Sequence, residues 1–236
     1  MRRIGLVLFF LLIFKCSNES EPYNHRLIKS LDRYSDSSYV SNQISDIVFY
    51  KNHFYISETS NNRIVSLNNR FEVVKTYGNQ GYGPSEFIRL SYFNIIHDTL
   101  YILDETGRKI KVFDMNGIFI RYFNSPSTIY NRKFAVDKNL FFYFSTPSDN
   151  YNITKTDLNG NIVSMFGEQI ERYGKKQKIF NNIKDLFIND NQELIAISNT
   201  TPIIEKYNID GRLIKRIDLT ILPNIYKFDM YIESMV

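Results

Sequence analysis

The sequence predicts an all-β fold, a β-propeller of four-stranded antiparallel blades, and three observations support this prediction. Four short apolar segments recur along the chain with starts 46, 41 and 53 residues apart, close to the period of about 40 to 50 residues that propellers show. A turn pair rich in Asn, Asp and Gly follows each segment at a similar offset. No stretch of useful length has the apolar spacing of a helix. A chain of 236 residues that is 43% hydrophobic can bury one sizeable core.

The recurring segments are predicted to be the second strands of four blades, because each is rich in aromatic and aliphatic residues and ends in a polar one. They span residues 54–59, 100–105, 141–146 and 194–199. First strands are predicted upstream, beginning at Ile44, Leu90, Lys133 and Ile183. A sheet of four strands cannot bury both of its faces alone, so neighbouring sheets must stack on it, and radial stacking gives a propeller.

The pair that follows each second strand suits a two-residue hairpin of type I′, in which both central residues have positive φ. Glycine adopts this conformation without penalty, and asparagine tolerates it at some cost. We therefore expect the third and fourth strands of each blade to form a tight hairpin. The pairs are Asn68-Asn69, Asn116-Gly117, Asn159-Gly160 and Asp210-Gly211.

The propeller is expected to occupy residues 26–236, with blades near 44–87, 88–126, 127–167 and 168–220. Six blades of about 45 residues would need about 270 residues, which is more than the chain offers. We therefore expect four to five blades, an incomplete six-bladed ring in a truncated chain. An open arc of this kind leaves two sheet edges unpaired.

The N-terminus has the pattern of an export signal. Arg2 and Arg3 precede an apolar run, residues 4–14, which is too short for a membrane span of about 20 residues. Cys16, the single cysteine, follows Lys15 and begins a polar segment. This arrangement resembles the lipobox of bacterial lipoproteins, although Lys15 stands where that pattern has a small residue. The resemblance implies a signal peptide at 1–16, lipid attachment at Cys16, a tether at 17–25 and a location at the bacterial cell envelope, with secretion as the alternative.

Two motifs resemble a known repeat family. Residues 58–64, ETSNNRI, are similar to the D-T-x-N-x-R-I core of NHL repeats, and residues 104–110 repeat this element with glycine and lysine substituted. Residues 77–87 resemble the G-x-x-G-x-G-P-x-E-F connection between blades in six-bladed β-propeller lipoproteins of the Bacteroidetes type. The resemblance covers about residues 44–220 and is strongest over the first two blades. It implies a six-bladed propeller that is exported and anchored by lipid.

The loops that join strands two and three of a blade emerge at the same end of the sheet as the connections between blades, and propellers usually bind there. We expect this end to bind a protein, peptide or glycan. The candidate contacts are side chains that the first inter-blade turn does not require, together with the basic cluster at 172–178. These residues are Asn79, Gln80, Tyr82, Arg89, Arg172 and Lys175.

The sequence contains no catalytic motif, and we predict no metal and no cofactor. Glu58 and Asp104 share a repeat position, but blades three and four offer Ser145 and Ser198 instead. We therefore interpret each acid as the partner of the basic residue five positions further on. The three histidines share no repeat position. The alternatives to a binding role are a divergent metal-dependent hydrolase or lyase on a propeller scaffold, and an inactive truncated fragment.

The charge of the chain argues against a nucleic-acid partner. Its 29 basic and 25 acidic residues give a net charge of +4 spread along the sequence, which is mild for a dedicated nucleic-acid binder. The basic cluster has aromatic neighbours that could stack on bases. An exported protein rarely meets RNA, however, so we expect a solvated loop there.

Overall fold

The computed structural model describes residues 2–3, 33–34, 40–41, 43–172 and 177–233. These residues form four sheets, each built from antiparallel strands that are consecutive in sequence. Stacked sheets of this kind are the blades of a propeller. The prediction of an all-β propeller with four-stranded blades is therefore confirmed. The predicted lipid site Cys16 and the apolar run before it lie outside the described residues.

The strands follow the order of a meander in every blade. Blade 1 contains β2 (Ile44–Tyr50), β3 (His53–Glu58), β4 (Arg63–Leu67) and β5 (Val73–Tyr77), and the two-residue strand β1 (Arg2–Arg3) pairs with β2. Blade 2 contains β6 (Leu90–Ile96), β7 (Thr99–Asp104), β8 (Lys109–Asp114) and β9 (Phe119–Asn124). Blade 3 contains β10 (Phe134–Val136), β11 (Phe142–Ser145), β12 (Ile153–Thr156) and β13 (Ile162–Phe166). Blade 4 contains β14 (Lys184–Ile188), β15 (Leu194–Ser198), β16 (Ile203–Tyr207) and β17 (Leu213–Asp218).

The core lies between the blades, and β7 shows how one strand contributes to two interfaces. In β7, Leu100 and Ile102 pack against blade 1, whereas Tyr101 and Leu103 pack against blade 3. Side chains alternate between the two faces of a strand, so a sheet buried on both faces needs a continuous apolar run rather than an alternating one. Burying each large apolar side chain contributes about 1.5 to 3 kcal/mol. This explains why the second strands are the clearest repeat in the sequence.

The hairpins between the third and fourth strands do not have the predicted type I′ turn. In blade 2 the turn begins at Asp114, whose carbonyl oxygen accepts a hydrogen bond from the Gly117 N–H at 3.1 Å. Gly117 has φ +80, but Asn116 is not among the residues with positive φ. The Asp114 Oδ1 also accepts a hydrogen bond from the Ile118 N–H at 2.8 Å. The turn therefore has one left-handed residue, and the register of the hairpin shifts beside it: Val112 lies opposite Arg121, whereas Phe113 lies opposite Phe119.

The expectation that the chain has no helix of useful length is wrong for its last described segment. Besides the single turn α1 (Lys178–Asn181), an 11-residue helix α2 spans Pro223–Glu233. Proline at the first helical position has a preset φ and loses no hydrogen bond there. The segment is only three turns long, which is why its apolar spacing gave a weak signal.

Candidate functional site

The predicted binding end of the propeller carries both kinds of loop, and hydrogen bonds join them. The Glu105 N–H, in a loop between strands two and three, donates to the carbonyl of Arg89 at 2.8 Å. Arg89 belongs to the connection between blades 1 and 2. The Thr59 N–H donates to the carbonyl of Gln43 in the same way, at 3.0 Å. We call this end the loop face; it holds the loops between strands two and three and the connections between blades.

The connection at 78–87, here called the glycine connection, is braced by its own residues. Phe87 is buried, and its N–H donates to the Asn79 carbonyl at 2.8 Å. The Glu86 Oε2 accepts a hydrogen bond from the Gly83 N–H at 2.8 Å. Gly78 has φ +72, and a Cβ there would lie 2.2 Å from the Phe87 ring. The turn therefore requires its glycines and its final Glu-Phe pair for packing.

A buried lysine ties the glycine connection to blade 2. The Lys111 ammonium donates to the carbonyls of Gly83, at 3.2 Å, and of Glu86, and it forms an ion pair with Asp104 Oδ2 at 3.3 Å. The predicted partner of Asp104, Lys109, is wrong: its ammonium lies 4.0 Å from the centre of the Tyr122 ring. Asp104 and Lys111 share a face of the sheet, because Lys109 lies directly opposite Asp104 and Lys111 is two residues further along the same strand.

Glu58 has the local role that the sequence predicted. Its Oε2 accepts a hydrogen bond from Arg63 Nε at 2.6 Å, and its Oε1 accepts one from the Ser41 N–H at 2.7 Å and one from the Tyr34 hydroxyl at 2.9 Å. Burial opposes ionisation, but these hydrogen bonds outweigh it and hold the pKa of Glu58 below its usual value. The carboxylate is fully buried and fixes the chain before blade 1.

A second buried charge group lies between blades 3 and 4. The Lys184 Nζ is 3.0 Å from Glu205 Oε2 and 2.7 Å from Ser198 Oγ, and both charged side chains are fully buried. The Glu205 Oε1 also accepts a hydrogen bond from Arg216 Nη2 at 2.7 Å. Burial lowers the pKa of Lys184, and the neighbouring carboxylate only partly offsets this effect. The group joins all four strands of blade 4.

The predicted contacts on the glycine connection differ in their exposure and in their hydrogen bonds. Tyr82 is 89% exposed, and Gln80 is also exposed. The Asn79 amide, by contrast, donates to the Gln80 carbonyl at 3.3 Å and to Glu86 Oε1 at 3.4 Å, so it helps to shape the loop. Arg89 lies at the end of the same connection and pairs with Glu105.

Of the two predicted basic contacts, Arg172 is not brought to this group. Arg172 forms ion pairs with Asp218 Oδ2, at 3.3 Å, and with the buried Asp229 of α2. It therefore attaches the last helix to blade 4. Lys175 lies outside the described residues.

The structure adds a charged group on the loop face that the sequence reading missed. Glu105 lies between two arginines: its Oε2 is 3.2 Å from Arg89 Nε, and its Oε1 is 3.0 Å from Arg132 Nε. Both arginines are 53% exposed. They come from successive connections of different length, so no repeat spacing relates them in the sequence.

A cleft of about 540 Å³ opens at the opposite end of the propeller, between blades 1 and 2. The buried Tyr55 and Tyr77 line it, and burial raises the pKa of both phenols. The wall also includes His53, Lys75 and Asn116. From the sequence, His53 is weighed only as a metal ligand and Asn116 is assigned only to a turn, whereas Lys75 is given no role. Among the described residues, no group of three or more His, Cys, Asp and Glu side chains is placed to hold a metal ion.

The stacked four-stranded sheets define a propeller scaffold with loops presented at one end. A family model described as a 6-bladed β-propeller matches residues 35–230, and the chain belongs to this family. The six-bladed part of the predicted resemblance is thereby confirmed, whereas the NHL repeat and the lipid anchor stay predictions. A search of the curated proteins found no match.

Several solved structures share the fold. An exported protein of Bacteroides fragilis matches with a TM-score of 0.61 at 16% identity, over 75% of this chain and 51% of that one. A streptogramin B lyase matches with a TM-score of 0.55 at 14% identity, over 76% and 55%. The virginiamycin B lyase of Staphylococcus aureus matches with a TM-score of 0.53 at 11% identity, over 79% and 61%. The chain thus spans about half to three fifths of these proteins, and the likeness shows the fold alone.

Within the described residues, no helix is both long enough and apolar enough to cross a membrane.

Proposed function

We propose that this chain is an exported propeller that binds a protein, peptide or glycan through its loop face. The observation that carries the proposal is Tyr82, which is 89% exposed on a connection that its own hydrogen bonds and Lys111 hold in place. An aromatic side chain on such a braced loop offers a large contact area, and its few rotatable bonds lose little conformational entropy on binding. Such side chains are enriched among the residues that dominate binding energy.

The arginine pair beside this connection supports a ligand that carries carboxylates. Each guanidinium has five N–H donors, and the ion pairs with Glu105 use the Nε of both Arg89 and Arg132. The remaining donors of these half-exposed side chains have no partner within the described residues. A planar fork of donors suits bidentate recognition of carboxylate groups. Acidic peptides and acidic glycans are therefore the ligand classes that fit best.

The cell envelope is the proposed location, with Cys16 as the site of lipid attachment. The charged start, the short apolar run and the single cysteine support export, and the fold is shared with an exported Bacteroides fragilis protein. Labelled palmitate should enter the protein in bacteria and should fail to enter the Cys16→Ser variant. Equal labelling of the two proteins would show that the anchor is elsewhere or absent.

The binding proposal is tested with arrays of peptides and glycans, followed by titration calorimetry of each hit. Replacing Tyr82 with Ser, or Arg132 with Ala, should weaken binding of a true ligand by about tenfold or more. Ile118→Ser is the matched control, because Ile118 is 63% exposed but lies at the turn between strands three and four, at the other end of the blade. Binding that both loop-face variants retain would refute the proposal.

A further inference from the structure

The three junctions between consecutive blades each contain a residue pair with a polar member at equivalent positions of the repeat. At each junction, a cross-strand pair on strands three and four faces the following blade and contains one cation. The pairs are Ser66 with Lys75, Val112 with Arg121, and Lys155 with Ser164.

Two of these cations donate a hydrogen bond to the next blade. Between blades 2 and 3, Arg121 Nη2 donates to the Leu158 carbonyl at 2.7 Å. Between blades 3 and 4, Lys155 Nζ donates to the Ile209 carbonyl at 2.7 Å, and the Tyr143 hydroxyl donates to the same oxygen at 3.2 Å. Leu158 and Ile209 are the second residues of equivalent turns in their blades. The cation therefore seals the gap beside the turn of the next blade.

The first junction differs in this respect. The equivalent carbonyl, that of Met115, accepts its hydrogen bond from the Tyr77 hydroxyl at 3.0 Å. The stem of Lys75 crosses Gly117 so closely that a Cβ there would lie 2.6 Å from Lys75 Cε. Within the described residues, the Lys75 ammonium has neither a hydrogen bond nor an ion pair. The cleft of about 540 Å³ lies at this junction, with Lys75 in its wall.

The charges and polar groups of the cleft indicate what it can hold. Lys51 is neutralised by Asp98, with 2.6 Å between Lys51 Nζ and Asp98 Oδ1, so Lys75 leaves one net positive charge. The single uncompensated charge of Lys75, near the Asp98 carboxylate, suits a ligand with one negative charge better than a doubly charged phosphate. His53, Ser66 and Asn116 add neutral hydrogen-bonding groups. A cavity of this volume lies within the range of small-molecule sites, about 300 to 1,000 Å³.

We propose that the cleft between blades 1 and 2 binds a small polar carboxylate, whose charged group pairs with the Lys75 ammonium while His53, Ser66 and Asn116 bind its hydroxyl or amide groups. This site is separate from the loop face, and its occupancy does not depend on the proposed function. A sugar acid and the C-terminus of a short peptide share the required chemistry.

The test titrates ligands into the full chain and measures binding by NMR chemical shifts or by calorimetry. The four probes are D-glucuronate, its neutral analogue D-glucose, triglycine and triglycine amide. We expect one carboxylate to bind and its neutral counterpart to bind at least about tenfold more weakly, because a hydrogen bond to a charged group is worth about 1.5 to 3 kcal/mol. The carboxylate that binds identifies the source as sugar or peptide.

Lys75→Met should weaken the binding of the same carboxylate by about tenfold. The control is Lys215→Met, which removes the same charge at the equivalent position of blade 4, where Lys215 pairs across to Lys206 as Lys75 does to Ser66. Both lysines are exposed, and thermal unfolding should confirm that both variants fold. The proposal is overturned if no carboxylate binds at millimolar concentration, if the neutral analogues bind equally well, or if both variants lose affinity alike.

Discussion

Gly117, Gly160 and Gly211 occupy the same position in the turns of blades 2, 3 and 4, and alanine substitution should separate two contributions to their role. Their φ angles are nearly equal, at +80, +85 and +88. Their surroundings are not equal. A Cβ at Gly160 would lie 2.3 Å from the main-chain oxygen of Asn124, whereas one at Gly117 would meet only the flexible Lys75 side chain, at 2.6 Å.

The magnitudes follow from these contacts. An L-residue in the left-handed conformation costs about 1 to 2 kcal/mol, and this cost is common to the three positions. A clash with fixed atoms adds about 1 to 3 kcal/mol, because the main chain of the preceding blade must shift. Gly117→Ala should therefore destabilise the protein by about 1 to 2 kcal/mol and Gly160→Ala by about 2 to 5 kcal/mol. Gly211→Ala should fall between them, because its Cβ would lie 2.6 Å from the Phe166 ring.

Equilibrium unfolding in urea at neutral pH measures the three losses on one scale, provided that the slopes with urea concentration agree. The wild-type protein and an exposed substitution such as Ile118→Ser serve as references. Equal losses at the three positions would show that φ alone sets the cost. A greater loss at Gly117 than at Gly160 would refute the assignment of the clash to the Asn124 carbonyl.

Three further predictions concern buried charges. Glu205→Leu should cost about 3 to 5 kcal/mol in urea unfolding, because it leaves Lys184 without its carboxylate, whereas Lys184→Met should cost less, because Glu205 keeps Arg216. Arg172→Ala should speed amide hydrogen exchange in α2 (Pro223–Glu233) but not in the blades, and unchanged exchange in α2 would contradict the role assigned to its ion pairs. The pKa of Glu58 is lowered on folding, so its contribution to stability is present above the ordinary value of 4.5 and is lost as the pH falls through the lower, folded value. Glu58→Gln should therefore reduce the loss of unfolding free energy on acidification, and an unchanged pH dependence would count against this assignment.

The sequence predicted the strands well because their signal is local. The observed second strands begin within one residue of the predicted starts in all four blades, as at Thr99 against Leu100. Burial on both faces forces a continuous apolar run, and polar turn residues bound it. Nothing beyond a few neighbouring residues is needed to see this pattern.

The turn types could not be predicted in the same way. An Asn-Gly pair fits a type I′ turn and also a type I turn whose last residue is left-handed. The residue two positions before this pair favours one turn over the other. In blade 2 it is Asp114, whose carboxylate accepts a hydrogen bond from the Ile118 N–H. Two consecutive residues with positive φ occur instead between the first and second strands of blades 1 and 2, as at His97 and Asp98, which have φ +47 and +56 without any glycine.

The candidate sites depend on contacts between blades, which no local pattern contains. Arg89 and Arg132 meet at Glu105 only because two connections of unequal length pass the same loop. At the cleft beside Lys75, the Tyr77 hydroxyl donates to the carbonyl that accepts a hydrogen bond from a cation at the other two junctions. Both features depend on which donor reaches which acceptor, and that becomes visible only when blades are placed side by side.

Because the sequence pattern does not show which blade a side chain faces, the alignment of the repeats contains one error. The sequence reading placed Ser145 of blade 3 at the position of Asp104 in blade 2. In the structure, Phe142 and Phe144 of β11 pack toward blade 2, whereas Ser145 faces the other way and its Oγ accepts a hydrogen bond from the Lys184 N–H at 2.9 Å. A slip of one residue moves a side chain to the opposite face of a sheet. The residue of blade 3 that corresponds to Asp104 is Thr146, because Phe142 lies opposite Thr156 as Leu100 lies opposite Phe113, and Thr156 and Phe113 precede equivalent turns. The Thr146 Oγ1 lies 2.6 Å from Thr154 Oγ1, and Thr154 corresponds to Lys111, the partner of Asp104. Blade 3 therefore has two hydroxyl groups where blade 2 has a buried ion pair, so the acids at that position serve the packing of individual junctions.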